Sequence, residues 1–374
     1  MTTKLTYGER VVRCLTGQDI DYVPYGTFLG WAPWGETYDR WKEESGIADL
    51  DVAAYFGFEP TFHVVQTNMG MCPVFEDITI EEDDTFRTWI DYRGITIRNY
   101  KYNGSIPEYL KYPVATPDDW ERIKKERLNI NSVERYSHID WDAYKELIRT
   151  SGAGVQAGYY PYGMFGAPRD LMGAEELLVA FYDEPEMVKD MIDHLTDIWL
   201  HMFAITAEHV KIDHIHIWED MSGRQGSLIS MDMVEKFMMP AYDRIHDFAK
   251  AHDVKLISVD TDGKCDELVE VMTKHGVNAF IPFEVQAGND IREYREKYPE
   301  LGIIGGLDKR ALAIGRGAID KEMALAEEMM KKGRYIPCFD HLIPPDVPWE
   351  NFKYAAKKML ELTNDLATKQ LTQQ

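Results

Sequence analysis

Cysteine is scarce: four among 374 residues, Cys14, Cys72, Cys265 and Cys338, far apart and with no C-x-x-C pair. That excludes a disulfide scaffold and a thiolate zinc ribbon. No apolar run approaches the length of a membrane span. The opening stretch "MTTKLTYGERVVRCLTGQ" has no apolar segment of the signal-peptide kind, so the expected location is the cytoplasm. Basic residues are outnumbered, 41 Lys and Arg against 64 Asp and Glu, for a formal net charge of −23. No basic stripe suited to nucleic acid stands out, and an acidic membrane surface would repel the chain. The acid excess favours solubility and leaves room for small ligands and a protein partner, with a homodimer open.

What the chain does have is a large apolar fraction, 45%, enough for a sizeable core. The second half alternates short apolar runs with amphipathic helical segments. The runs are "HIHIWED" (214–220), "KLISVDTDG" (255–263), "NAFIPFE" (278–284), "LGIIGGLD" (301–308) and "RYIPCFDH" (334–341). With "GVQAGYY" (154–160) upstream, these strand–helix units imply a parallel sheet and favour a closed (β/α)8 TIM barrel. "VPYGTFLG" (23–30) is the expected first barrel strand. Residues 76–102 read as antiparallel strands with a turn at Arg93–Gly94, an insertion on the barrel. One domain over 1–374, with an amino-terminal extension and this β insertion, is the expected organisation. Along 185–209, Met187, Met191, Ile192, Leu195, Ile198, Trp199, Met202 and Phe203 recur at helical spacing and read as core.

Chemically capable residues gather where the runs end, the face on which barrel active sites sit. They are Glu219 and Asp220, Asp260 and Asp262, Glu284, Asp308, then Asp340 and His341. Asp260 and Asp262, two apart, point to one side of an extended chain, and their mutual repulsion requires a proton, a cation or a metal. The plainer reading of either acid is a helix cap, and Asp262 before Gly263 is the more cap-like. His341 suits a metal ligand or a general base, with Asp340 as its natural orienter. Cys338 is a reserve ligand or a buried thiol. His214 and His216 alternate with Ile and read as satisfied core histidines. Arg224 could clamp an anion or pair with Asp220. Lys309 and Arg310 could balance the carboxylates, although a solvated charge is the plainer reading of Lys309.

Two segments are dense in rings, "YGTFLGWAPWGETYDRW" (25–41) and "GYYPYGMFGAPRDLMG" (158–173). Trp31, Trp34, Tyr159 and Tyr160 could form a flat apolar wall for a planar substrate, and Arg169 could meet its carboxylate. Core packing is the alternative.

The order of blocks along the chain resembles the uroporphyrinogen decarboxylase superfamily. "GERVVRCLTGQDIDYVP", "GMFGAPRDLMGAEELLVAFYDEPEMVKDMIDHL", "GVNAFIPFEVQAGNDI", "GIIGGLDKRAL" and "DHLIPPDVPWENF" carry the likeness. The resemblance implies a (β/α)8 barrel. The decarboxylases hold porphyrin carboxylates with an L-R-Q-A-G-R block, where this chain has "YGTFLGWAPWGETYDRW", so porphyrinogen decarboxylation is not expected. The other branch comprises cobalamin-dependent methyltransferases, whose thiol-methylating members bind zinc through H-x-C and a later Cys. Matched on "VDTDG" and "PWEN", those positions fall on Asp260, Asp262 and His341.

Oxygen and nitrogen ligands make a harder Lewis acid, suited to an ether oxygen. The resemblance thus implies a corrinoid-dependent methyltransferase that takes a methyl group from a methoxylated aromatic donor and passes it to a cobalamin-carrying corrinoid protein. Its expected cofactor is zinc on Glu219, Asp260, Asp262 and His341, with Asp340 and Asp220 as catalytic residues. Trp31, Trp34, Tyr159, Tyr160, Arg169 and Arg224 would bind substrate. The alternatives are a metal-free decarboxylase-like enzyme and a non-catalytic module that binds a corrinoid protein.

Overall fold

The computed structural model describes residues 5–26, 28–101 and 106–372, with side chains as far as 364. Residues 1–4 of the opening stretch, Thr27 in the expected first strand, residue 102 of the expected insertion and residues 373–374 lie outside the described residues. In chain order the strands are β1 (Phe62–Val64), β2 (Ile78–Glu82), β3 (Phe86–Ile90), β4 (Thr96–Tyr100), β5 (Glu108–Lys111), β6 (Gly154–Ala157) and β7 (His214–Trp218). There follow β8 (Ser222–Gly223), β9 (Gly226–Ser227), β10 (Leu256–Asp260), β11 (Ala279–Ile281), β12 (Gly302–Ile304) and β13 (Tyr335–Ile336).

Seven of them form one curled parallel sheet in the order β1-β6-β7-β10-β11-β12-β13, with helices in the crossovers: a TIM-barrel-like α/β fold. Leu256, Ile257 and Val259 of β10 are buried, as a strand covered on both faces requires. The crossover from β6 to β7 contains helix Pro185–His209, and every apolar residue singled out on it is buried.

The expected first strand, 23–30, is not a strand. Gly26 (φ 70°) and Phe28 (φ 68°) have positive φ, which no extended ladder accommodates. β1 forms instead at 62–64, a run too short to show periodicity. The 23–34 segment still contributes to closure, because Ala32 and Trp34 exchange backbone hydrogen bonds with Ile343, beyond the end of β13. Gly30 permits this approach, since a Cβ there would lie 1.9 Å from the Phe339 carbonyl oxygen.

Helix Tyr7–Leu15, opened by a Thr6–Glu9 capping box, closes the amino-terminal end of the barrel. A Cβ on Gly8 would strike Gly154 at the start of β6, and the Cys14 thiol meets the Tyr335 carbonyl at the start of β13. The opposite face, at the strand carboxyl ends, is left for chemistry. Strands β2–β5 make a separate four-stranded antiparallel meander, one strand longer than the insertion read from sequence.

Candidate active site

Strand β10 ends at Asp260, and the backbone of Asp260 accepts hydrogen bonds from the Glu219 and Asp220 amides at 2.8 and 3.3 Å. This locks the ends of β7 and β10 together. Register places His216 beside Ser258 and Trp218 beside Asp260. His214 Nε2 and His216 Nδ1 both meet the Ser258 hydroxyl, at 2.7 and 2.8 Å. His216 Nε2 then lies 3.8 Å from Asp260 Oδ2. A buried polar chain therefore runs along the sheet from His214 to Asp260. Burial pushes His216 down to about 4 and His214 well below the usual histidine range, so both are neutral.

Asp260 is buried. Burial, with the charges of Asp262 and Asp220, pushes its carboxyl well above the usual carboxylate range. The shift favours the protonated form over the bare carboxylate. Asp262, partly exposed, faces His341, its Oδ2 3.6 Å from His341 Nε2. Asp262, by pairing with the imidazolium, raises the His341 pKa against the opposing effect of burial. The His341 ring stacks on Trp34 at 5.8 Å between centroids, and Trp34 is 37% exposed. So β10, the segment after β13 and the amino-terminal 23–34 segment meet at one mouth.

Other residues expected at the site are placed as follows. Glu219 is fully buried and apart from the mouth. Its carboxylate accepts backbone N–H groups of Met164, Phe165 and Gly166 at 3.0, 2.7 and 3.2 Å, and the Tyr242 hydroxyl at 2.7 Å. It anchors the start of helix Gly166–Met172, with Gly163 and Gly166 allowing contact no Cβ would fit. Asp340 does not orient His341: its carboxylate accepts the amides of Val285 and Lys309 at 2.8 and 3.1 Å. Lys309 is not solvated but stands 3.5 Å from Asp340 and 3.6 Å from Glu284. Arg169, not Arg224, pairs with Asp220, at 2.8 Å, and lies over the Trp218 ring. Arg224 is exposed between β8 and β9.

Trp31, at 2% exposure, belongs to the core, its indole N–H donating to the Pro337 carbonyl between Phe58, Phe339 and Phe352. Burial pushes the Cys338 thiol up to about 12, so it is no ready thiolate. Tyr160 packs edge-on against Trp218, 4.6 Å between centroids. Tyr159 donates to the Thr67 carbonyl.

Tyr159 and Tyr160 line a cavity of about 380 Å³ with Tyr92, Arg93, Tyr162 and Asp170; Asp260, Asp262 and His341 are not among its walls. Sequence reasoning missed the meander's part in this cavity and the exposure of His216 to Asp260. The signal for His216 was present: H-x-H on β7 and S-x-D on β10 share the same inward parity.

Chemically, the mouth offers two acid–imidazole pairs, Asp260 with His216 and Asp262 with His341. Oxygen and imidazole donors suit a hard or borderline divalent ion. Among the described residues, however, no three His, Cys, Asp or Glu side chains form a group able to hold one.

A parallel barrel-like α/β fold with acids and a histidine at its carboxyl-terminal mouth defines the class. The chain belongs to the family described as uroporphyrinogen decarboxylase (URO-D), whose sequence profile matches residues 92–361, more than half of its length. Among solved structures, a methyltransferase from Methanosarcina mazei superposes with a TM-score of 0.57 at 16% identity, over 97% of this chain and 99% of that one. This likeness is one of fold. No curated protein matches by sequence. No helix among the described residues is long and apolar enough to cross a membrane.

Proposed function

We propose that the chain is a methyltransferase that takes a methyl group from an aromatic methyl ether and delivers it to a corrinoid protein. One observation carries the reading. The positions matched in sequence to the zinc ligands of the thiol-methylating branch, 260, 262 and 341, lie at one mouth, with Asp262 and His341 3.6 Å apart across 79 residues of chain. Oxygen and nitrogen stand where that branch has sulfur, which suits an ether oxygen better than a thiol.

Asp260, whose carboxyl burial and two neighbouring acids push above the usual carboxylate range, could donate a proton to the ether oxygen as negative charge develops there. His341, whose imidazolium Asp262 favours and whose ring Trp34 braces, could hold the same oxygen or its phenolate product. The corrinoid, carried by the partner, supplies the Co(I) nucleophile that accepts the methyl group. Leu29, Trp34, Leu228 and Ile314 are large apolar side chains left exposed, of the kind a docked protein would cover.

A polycarboxylate substrate is disfavoured, because Arg169 and Lys309 are committed to Asp220, Asp340 and Glu284. Asp262→Asn and His341→Ala are expected to lower methyl transfer at least about a hundredfold while leaving cooperative melting intact. Unchanged transfer in both variants would defeat the reading.

A further inference from the structure

The cavity between the meander and the β6 loop is rich in tyrosine, with a few polar residues among its walls. Tyr92 comes from the turn after β3, Tyr159, Tyr160 and Tyr162 from the loop after β6, and Met71, Leu128 and Leu171 fill between them. Its volume of about 380 Å³ suits a single substituted ring. Tyr159 and Tyr162 stand edge to face at 5.1 Å, an arrangement that presents ring faces and edges to an aromatic guest. Gly70 makes room for Tyr162, since a Cβ there would lie 2.6 Å from its hydroxyl.

Charge sets the second property. Arg93 is the one Lys or Arg on the described lining, and its guanidinium is fully committed. Nε meets Asp91 at 2.9 Å, and the two terminal nitrogens meet Asp91 at 2.8 Å and Asp170 at 3.1 Å. Asp170 itself lines the cavity. Arg135 stands behind Asn68 and Gly70, fully buried, and spends its donors on the carbonyls of Asn68, Gly70, Arg127 and Asn129. His138 Nε2 meets the Gln66 carbonyl at 2.9 Å. An entering carboxylate would thus lose its hydration with no uncommitted cation to meet it.

We infer that this cavity seats the ring of the methyl donor and selects an uncharged methoxyarene over a methoxybenzoate. The inference rests on the function proposed above and adds the substrate class. The Tyr160 ring, which borders the cavity, touches Trp218, the residue in register with Asp260, so one wall of the cavity is tied to the ends of β7 and β10.

The test is equilibrium binding to the full chain at pH 8, by calorimetry, with no corrinoid protein present. The matched probes are 1,2-dimethoxybenzene and 3,4-dimethoxybenzoate, which differ by one carboxylate. The arene is expected to bind one per chain, and the benzoate at least about tenfold more weakly. Tyr160→Ala, at a half-exposed wall position, should weaken the arene about tenfold. Asp170→Asn, by freeing part of Arg93, should narrow the preference against the benzoate; should that variant fail to fold, the Tyr160 arm decides.

Equal or tighter binding of the benzoate, no arene binding below about 10 mM, or indifference to Tyr160→Ala would overturn the inference. Arene binding without methyl transfer to any Co(I) corrinoid protein would support this cavity and sink the proposed function. Methyl transfer from an arene that ignores Tyr160→Ala would do the reverse.

Discussion

Asp260 concentrates the physical argument. Its folded carboxyl titrates above the unfolded one, because burial and two neighbouring acids oppose its charge. The stability this gives is complete below the unfolded value near 4 and drains away as pH rises through the folded value. Asp260→Asn, which cannot ionise, should gain on the parent as pH rises, melting at a relatively higher temperature at pH 8 than at pH 5. Thermal melts across that range check this, and a difference independent of pH would contradict it.

His341 has the opposite partner. Pairing with Asp262 favours its imidazolium, so NMR titration should find it above the ordinary histidine value, and Asp262→Asn should bring it down. No fall in the variant would mean that the 3.6 Å approach does not persist in solution. These acids and His341 were legible in sequence because they end apolar runs. The split between them was not. Glu219 reads like its neighbour Asp220, yet one residue of rotation turns it into the protein, where amides of a distant loop take its lone pairs.

Among elements, the loop after β6 depends most on a single side chain. Glu219 gathers three amides and the Tyr242 hydroxyl in a fully buried setting. Glu219→Ala would leave those donors unpaired and is expected to cost about 3 kcal/mol or more of stability, read by urea unfolding. A loss under about 1 kcal/mol would contradict this role. Such a variant would also disturb Tyr159 and Tyr160, which the same loop carries.

Repeated strand–helix units made β6, β7 and β10 to β13 readable from alternation, with parity then fixing which side chains point inward; the short β8–β9 hairpin was not read. β1 was not readable, because three residues carry no period, while the ring-rich 23–30 stretch imitated a strand until two positive φ values bent it. The meander was visible as strands, but its contribution of Tyr92 and Arg93 to a cavity depends on contacts such as Arg93–Asp170, 77 residues apart, which local pattern does not encode.

At the scale of the molecule, helix Tyr7–Leu15 closes one end of the barrel, and the proposed chemistry lies at the other. The chain carries a net charge of −23, which leaves the proposed partner little to gain from acidic groups of its own. The partner and the methyl donor are the elements of the account that lie beyond the chain itself, and both enter one reaction. The most direct measurement mixes the purified protein, a methoxyarene and a corrinoid protein reduced to Co(I), and follows the corrinoid absorption spectrum. The account predicts conversion of the Co(I) spectrum to that of methylcobalamin with release of one phenol per cobalt, at a rate that collapses in His341→Ala. A Co(I) spectrum that stays unchanged across a panel of methoxyarenes and corrinoid proteins, with no phenol formed, would contradict it.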